Sequence, residues 1–259
     1  MAGRGRGRRC RNRRRRQACQ RPSGRRQRHP LDRRLGPVTD ADLRHVDFDG
    51  KRLAYRQRNG RSPTLLFLPG YASDMEGAKA LALDDFAKRS GHALLRFDYS
   101  GTGSSEGSFD DGTLAGWIDE ALRMLDQLTK GPVVLVGSSM GGWIALHLAL
   151  QRPERIAALV GIAAAPDFTD WGFTDEKRTE LRSAGRLEEP NPYGPEPFVT
   201  TLGFWQSGQQ LLLLERPIAL DCPVRLIHGD QDNDVPLPVA YRLLQQLRSA
   251  DVQLTIVKG

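Results

Sequence analysis

From residue 39 onward, apolar and polar positions fall into two alternating patterns. Short, mostly apolar runs recur as TLLFL (64–68), ALLRF (93–97), VVLV (133–136), IAALVGIAA (156–164), VRLIH (224–228) and VQLTIV (252–257). Such runs suit strands covered on both faces, as in a parallel sheet with helices on either side. Between them, residues 75–90, 113–129, 142–151 and 237–249 have helix-like spacing. Upstream, LRHVDF and RLAYRQR flank Asp49-Gly50, a pair that favours a type I′ turn, so an antiparallel hairpin is expected to open the fold. The pattern predicts a doubly wound α/β plan, a mostly parallel sheet of about eight strands. One connection is out of scale. Between Ala164 and CPVRLIHG lie Trp171, Phe173, Phe198, Phe204, Trp205 and LLLLE. So long a link is seldom structureless, and residues 165–220 are read as a short, mostly helical cap inserted over the sheet. The ordinary role of any one of these aromatics is packing against the core.

Composition changes the picture at one end only. The 259 residues, 39% hydrophobic and 27% charged, suit one large globular domain. No apolar window approaches the eighteen or so residues of a membrane span. Cys10, Cys19 and Cys222 form no regular framework, which fits a reducing compartment. The net charge of +7 averages two unlike parts: residues 1–35 hold fifteen arginines against one acid, Asp32, and the remainder has 23 basic and 30 acidic residues. The body is therefore acidic, and the overall balance says little about its partners.

Residues 1–38 are accordingly set apart as a disordered tail, with 39–259 as the folded domain. The tail has three readings. As a nucleic-acid arm it would bind phosphate by charge alone. As a mitochondrial presequence it is suitably rich in arginine and poor in acid, but lacks an amphipathic face. In the third reading it is not native, and Val38 lies near the true start. Nucleic-acid binding through the tail is not favoured. The expected location is cytoplasmic, with the mitochondrial matrix as the alternative.

Gly137-Ser138-Ser139-Met140-Gly141 fits G-x-S-x-G, with an apolar strand before it and GGWIALHLALQR after it, ended by Pro153. In that setting the central serine sits on a strained turn that lifts its hydroxyl off the sheet. Gly137 and Gly141 let strand and helix approach closely enough, which makes Ser139 the candidate nucleophile and Ser138 a turn residue. An oxyanion needs donors. The amide of Met140 begins the helix, and the amide of Tyr71 follows Pro69-Gly70 at the end of an earlier strand. HGDQDNDVP, after the seventh strand, offers Asp230, Asp232 and Asp234 as the acid that would orient a histidine. The glycine-rich RFDYSGTGSSEG lacks the lysine and spacing of a phosphate loop; it is read as a structural turn tied by Asp98.

The histidine itself is missing from the expected place. His29, His45, His92, His147 and His228 all precede Asp232, and each has an ordinary structural explanation. The chain ends at DVQLTIVKG, which reads as the eighth strand. The expectation is that the histidine loop and one helix belong beyond Gly259, and that this fragment binds substrate but hardly turns it over.

LPGYASDMEGAKA, RFDYSGTGSSEG, VGSSMGGW and HGDQDNDVP, in that order, resemble the serine α/β-hydrolases. The likeness is strongest to the group of acyl-protein thioesterases and acyl-glucuronide esterases with its bacterial relatives, and it runs from about residue 43 to the end. The resemblance implies a cofactor-independent esterase or thioesterase with a Ser-Asp-His triad and a short cap. It places the acid on the first Asp of HGxxDxxVP, Asp232, with Asp234 in reserve, and a histidine after a Lys-Gly pair such as Lys258-Gly259. The expected partner is a small acyl ester or thioester, or an acylated protein, with no metal. The competing reading is a hydrolase-like binding protein without catalysis, armed by the arginine tail.

Overall fold

The computed structural model describes residues 42–191, 195 and 197–259; residues 1–38, with every reading attached to them, lie outside that set. Strands β1 (Leu43–Phe48) and β2 (Lys51–Arg58) form the expected antiparallel hairpin. Its turn places Asp49 at φ 53° and Gly50 at φ 80°. Both central residues of a type I′ turn need positive φ, which is why Asp-Gly marks it. There follow β3 (Arg61–Leu68), α1 (Ala78–Ser90), β4 (His92–Phe97), α2 (Leu114–Leu128), β5 (Val133–Ser138), α3 (Met140–Gln151) and β6 (Ile156–Ile162). An insertion carries α4 (Phe168–Trp171), α5 (Asp175–Ala184), β7 (Arg186–Glu189), β8 (Phe198–Thr201) and α6 (Leu202–Gln209). The main fold resumes with β9 (Val224–Gly229), α7 (Leu237–Gln246) and β10 (Val252–Val257). No described helix is long and apolar enough to cross a membrane.

Eight strands form one sheet in the order β1-β2-β4-β3-β5-β6-β9-β10, parallel from β4 to β10, with β2 antiparallel to β4. Because successive side chains point to opposite faces, β3 serves two cores. Leu65 and Phe67 pack with Ala80 and Ala87 of α1, whereas Leu66 and Leu68 join the larger core under α2 and α3. Helix α2 puts Leu114, Trp117, Ile118, Ala121, Leu122 and Leu125 on its buried side and is capped by Thr113, whose hydroxyl accepts from Gly116 N at 3.1 Å. Such a cap contributes about 1 kcal/mol. Helix α3 is buried from Met140 to Ala149, so it has no polar face and stands at the centre of the molecule.

The topology fixes where chemistry can occur. The chain leaves β3 to form β4 on one side and returns to place β5 on the other. The loops after β3 and β5 therefore part from neighbouring strands, and the crevice between such loops is where ligands bind in open α/β sheets.

The insertion is three helices and, in addition, a two-stranded antiparallel sheet of β7 and β8. Its own core is Phe173, Leu181, Leu187 and Trp205. The LLLLE run is not part of it: Leu213 and Leu214 are buried in the main core. Asp167 closes the insertion at its base. It sits at φ 59°, 3% exposed, and accepts from Leu213 N (2.9 Å) and Leu214 N (2.7 Å). Burial raises its pKa, and those two amides partly offset the rise.

A carboxyl whose folded-state pKa is raised binds its proton more tightly folded than unfolded. Its contribution is thus fully present below the unfolded value and is lost as pH climbs through the folded one. Asp167→Asn removes that titration. The stability difference, wild type minus variant, is expected to fall as pH rises from about 4 towards neutrality. Urea unfolding at a series of pH values checks this, and a difference independent of pH would contradict it.

Candidate active site

Ser139 stands between β5 and α3 at φ 51°, ψ −119°. Few non-glycine residues tolerate such a backbone, and it persists only where the surroundings impose it. Here they do. Ser139 N donates to Ile162 O (3.0 Å), and Ser139 O accepts from Gly142 N (2.9 Å) and Ala165 N (3.1 Å). A Cβ at Gly137 would lie 2.3 Å from Gly141 O, and one at Gly141 only 2.0 Å from Leu68 O. Only glycine permits this packing. Ser138 is buried at 6% exposure, while Ser139 is half-buried. The Ser139 hydroxyl has no hydrogen-bond partner among the described residues.

Two amides, unpaired among the described residues, lie near the elbow. Gly70 faces the elbow so closely that a Cβ on it would lie 3.4 Å from the Ser139 Cβ. The next amide, Tyr71 N–H, and the first amide of α3, Met140 N–H, bond to no described residue. The Met140 amide opens α3, where the dipole favours negative charge, and together with the Tyr71 amide of the facing loop it suits an oxyanion. The Tyr71 side chain serves another purpose: its hydroxyl donates to Val199 O of β8 (2.6 Å), and its ring packs against Phe109, Trp117, Phe168 and Phe204. Burial pushes the phenol well above its ordinary pKa.

The loop that carries Tyr71 is fastened from β4. Asp98, 1% exposed, accepts from Met75 N (2.7 Å) and Ser104 N (2.8 Å), and Arg96 Nη1 donates to Met75 O (2.6 Å). Asp98 was visible in the sequence as a loop tie. Arg96, alternating with it on a strand expected to be mostly apolar, was not. This clamp also explains why α1 begins at Ala78 rather than near 75: Met75 is occupied with β4.

The three aspartates after β9 have different surroundings. Asp232 is half-buried, and its Oδ1 accepts from Asp234 N (3.0 Å) and Val235 N (2.9 Å). No described residue bonds to its Oδ2. Asp230 Oδ1 accepts from Gly259 N (3.1 Å), and Asp230 N donates to Val257 O (3.0 Å), tying the loop to β10. Asp234 is exposed. Strand β6 lies between β5 and β9. At about 4.8 Å per strand, the elbow and the acid loop leave the sheet roughly 10 Å apart, a gap that one intervening side chain bridges.

None of the described histidines fills that gap. His228, 2% exposed, uses Nε2 on Val235 O (2.7 Å) and so supports the acid loop from below. His147 uses Nε2 on Leu211 O (3.0 Å), and burial lowers its pKa. His92 bonds Pro63 O (3.2 Å) beside the Phe86 ring, and His45 is on the exposed edge strand. His29 is outside the described residues.

A profile of the alpha/beta hydrolase fold matches residues 63–185. The mitochondrial palmitoyl-protein thioesterase ABHD10 of Homo sapiens is 40% identical over 214 residues, covering 81% of this chain and 70% of the relative. Among solved structures, mouse alpha/beta hydrolase domain-containing protein 10 superposes with a TM-score of 0.79 at 38% identity, covering 85% of this chain and 90% of its own. A structure from Agrobacterium vitis S4 has the same TM-score, 0.79, and identity, 38%, over 85% of this chain and 92% of its own.

Proposed function

Because this chain belongs to the α/β-hydrolase family, we propose that it cleaves acyl thioesters or esters through an acyl-enzyme formed on Ser139. The observation that carries the proposal is the elbow itself. A serine held at positive φ, its hydroxyl without a partner among the described residues, lies near two amides that bond to no described residue. In this reading Ser139 Oγ attacks the acyl carbonyl and gives up its proton to a base. Met140 N–H and Tyr71 N–H receive the oxygen as it becomes negative, then release it as the thiolate or alkoxide departs. Water repeats the sequence on the acyl-enzyme.

The base is a histidine between Ser139 and Asp232, with Asp232 Oδ2 accepting from the imidazole and holding its tautomer. No described histidine stands there, so this polypeptide is expected to react slowly. Imidazole added to the solution is then expected to speed the reaction. The thioesterase name of the relatives favours a thioester of a long acyl chain on a protein, and their mitochondrial location favours the mitochondrial alternative over the cytoplasmic one.

The test is exposure to a fluorophosphonate, with and without imidazole, followed by peptide mapping. An adduct on Ser139 that forms faster with imidazole supports the reading. Absence of any adduct sinks it and leaves a binding protein. For the acid, Asp232→Asn is expected to lower the imidazole-stimulated rate of labelling by more than about tenfold, while Asp234→Asn stays within about threefold. Equal losses in the two variants would remove Asp232 from the mechanism.

A further inference from the structure

Beside the elbow lies a cavity of about 260 Å³ between the loop after β3, the loop after β4 and strand β8. Ala72, Ser73 and Asp74 form one wall, Thr102 and Gly103 another, and Val199 a third. Its wall continues the loop that faces the nucleophile: Ala72 is two residues beyond Gly70, which faces Ser139, and two peptide units span at most about 7.6 Å. Tyr71 stands between, its hydroxyl bonded to Val199 O.

The cavity is acidic, with no basic residue among the described residues that line it. Asp74 forms part of its wall, and among the described residues Asp74 Oδ1 accepts only from Glu76 N (2.8 Å). Behind Gly103, which holds φ +50°, lies the carboxylate of Asp98, so close that a Cβ on Gly103 would meet Asp98 Oδ2 at 2.2 Å. Neither Asp74 nor Asp98 has a basic partner among the described residues. The neighbouring acids do: Glu76 is paired with Arg56 and Arg96, and Asp110 with Arg186. The two unpaired carboxylates repel each other, and burial and this repulsion both raise the pKa of Asp98. A cation in the cavity relieves that repulsion.

An alkyl chain would strip water from Asp74 and give nothing back. The acyl tail therefore does not belong here, and the cavity is left for the other half of the substrate. We propose that it is the leaving-group subsite, and that it takes the ammonium or guanidinium of a lysine or arginine next to the acylated residue of a polypeptide. This rests on the reading of Ser139 as an acyl-transfer nucleophile. The geometry suits it: Ala72, Ser73 and Gly103 are exposed, so the polypeptide stays outside while one long side chain enters.

The experiment uses an uncleavable ligand, acetyl-Cys-Xaa-amide with an S-butyl thioether, where Xaa is lysine, norleucine or glutamate. Binding is read by isothermal titration calorimetry at low salt. The lysine peptide is expected to bind about fivefold more tightly than norleucine, the upper end for a half-exposed ion pair, with glutamate weakest. The preference should shrink at high salt, disappear in Asp74→Asn, which keeps the bond to Glu76 N, and reverse in Asp74→Lys. Equal affinity for the three peptides, a preference for glutamate, or no binding overturns the subsite. Fluorophosphonate labelling of the same protein reports on Ser139 separately, so labelling without a charge preference removes the subsite alone. A charge preference without labelling removes the hydrolase reading and with it the leaving-group role, leaving only a site for a basic side chain.

Discussion

Exchanging Ser139 for alanine is expected to abolish fluorophosphonate labelling and to remove the imidazole-stimulated part of acyl cleavage, leaving only the contribution of the oxyanion donors and of binding. The same exchange is expected to change stability by no more than about 0.5 kcal/mol. The Oγ bonds to nothing described, and the three hydrogen bonds that hold the elbow use backbone atoms. Alanine inherits the same positive φ at nearly the same cost. Kinetics and denaturant unfolding of one variant thus separate two explanations for a serine in this turn. If it fills a turn, unfolding changes and chemistry does not. Undiminished cleavage in a well-folded Ser139→Ala protein would falsify the proposed mechanism.

The second large effect concerns folding. Gly141→Ala is expected to cost about 3 kcal/mol or more, enough to deplete the folded state of an ordinary domain. Its Cβ would lie 2.0 Å from Leu68 O and 2.6 Å from both Leu68 C and Pro69 O. All three are backbone atoms, so no rotamer change relieves the clash; β3 and α3 must separate. That movement also pulls the Tyr71 amide away from the elbow, so any protein that still folds should lose labelling at Ser139. Gly203→Ala in α6 is the control, since a Cβ there meets nothing within 4 Å. It should shift stability by less than about 1 kcal/mol, in the favourable direction if helix propensity prevails. Urea midpoints decide the comparison, and similar midpoints for the two variants would contradict it.

How much of this was legible beforehand depends on the range over which each signal acts. The sheet was readable because its central strands carry short apolar runs and several helices are bounded by glycine, proline or threonine, as at Gly77, Gly91, Thr113, Thr129 and Pro236. The elbow was readable because glycine at 137 and 141 is a local steric demand. The acid was not. Asp230, Asp232 and Asp234 are equivalent in a string of letters, and only the resemblance to known hydrolases chose among them. What separates them in space is which amides each engages: Asp230 reaches Gly259 and Asp232 reaches Val235. Strands β7 and β8 were missed because RLEE and FVTT are short and half polar, and their pairing bridges a gap that sequence periodicity does not see. Asp167 was missed for the same reason: its partners are 46 and 47 residues away, and nothing next to it announces them. Arg96 was hidden inside an apolar run, where a buried guanidinium makes sense only with Met75 and Glu76 in view.

The three bonds that hold residue 139, to Ile162, Gly142 and Ala165, make its position a fixed pedestal indifferent to the group mounted on it. Reactivity at that point is therefore separable from architecture, and a thiol substituted for the alcohol would be delivered to the same coordinates, beside the same two amides. A scaffold of this kind can change its chemistry by one codon without being rebuilt.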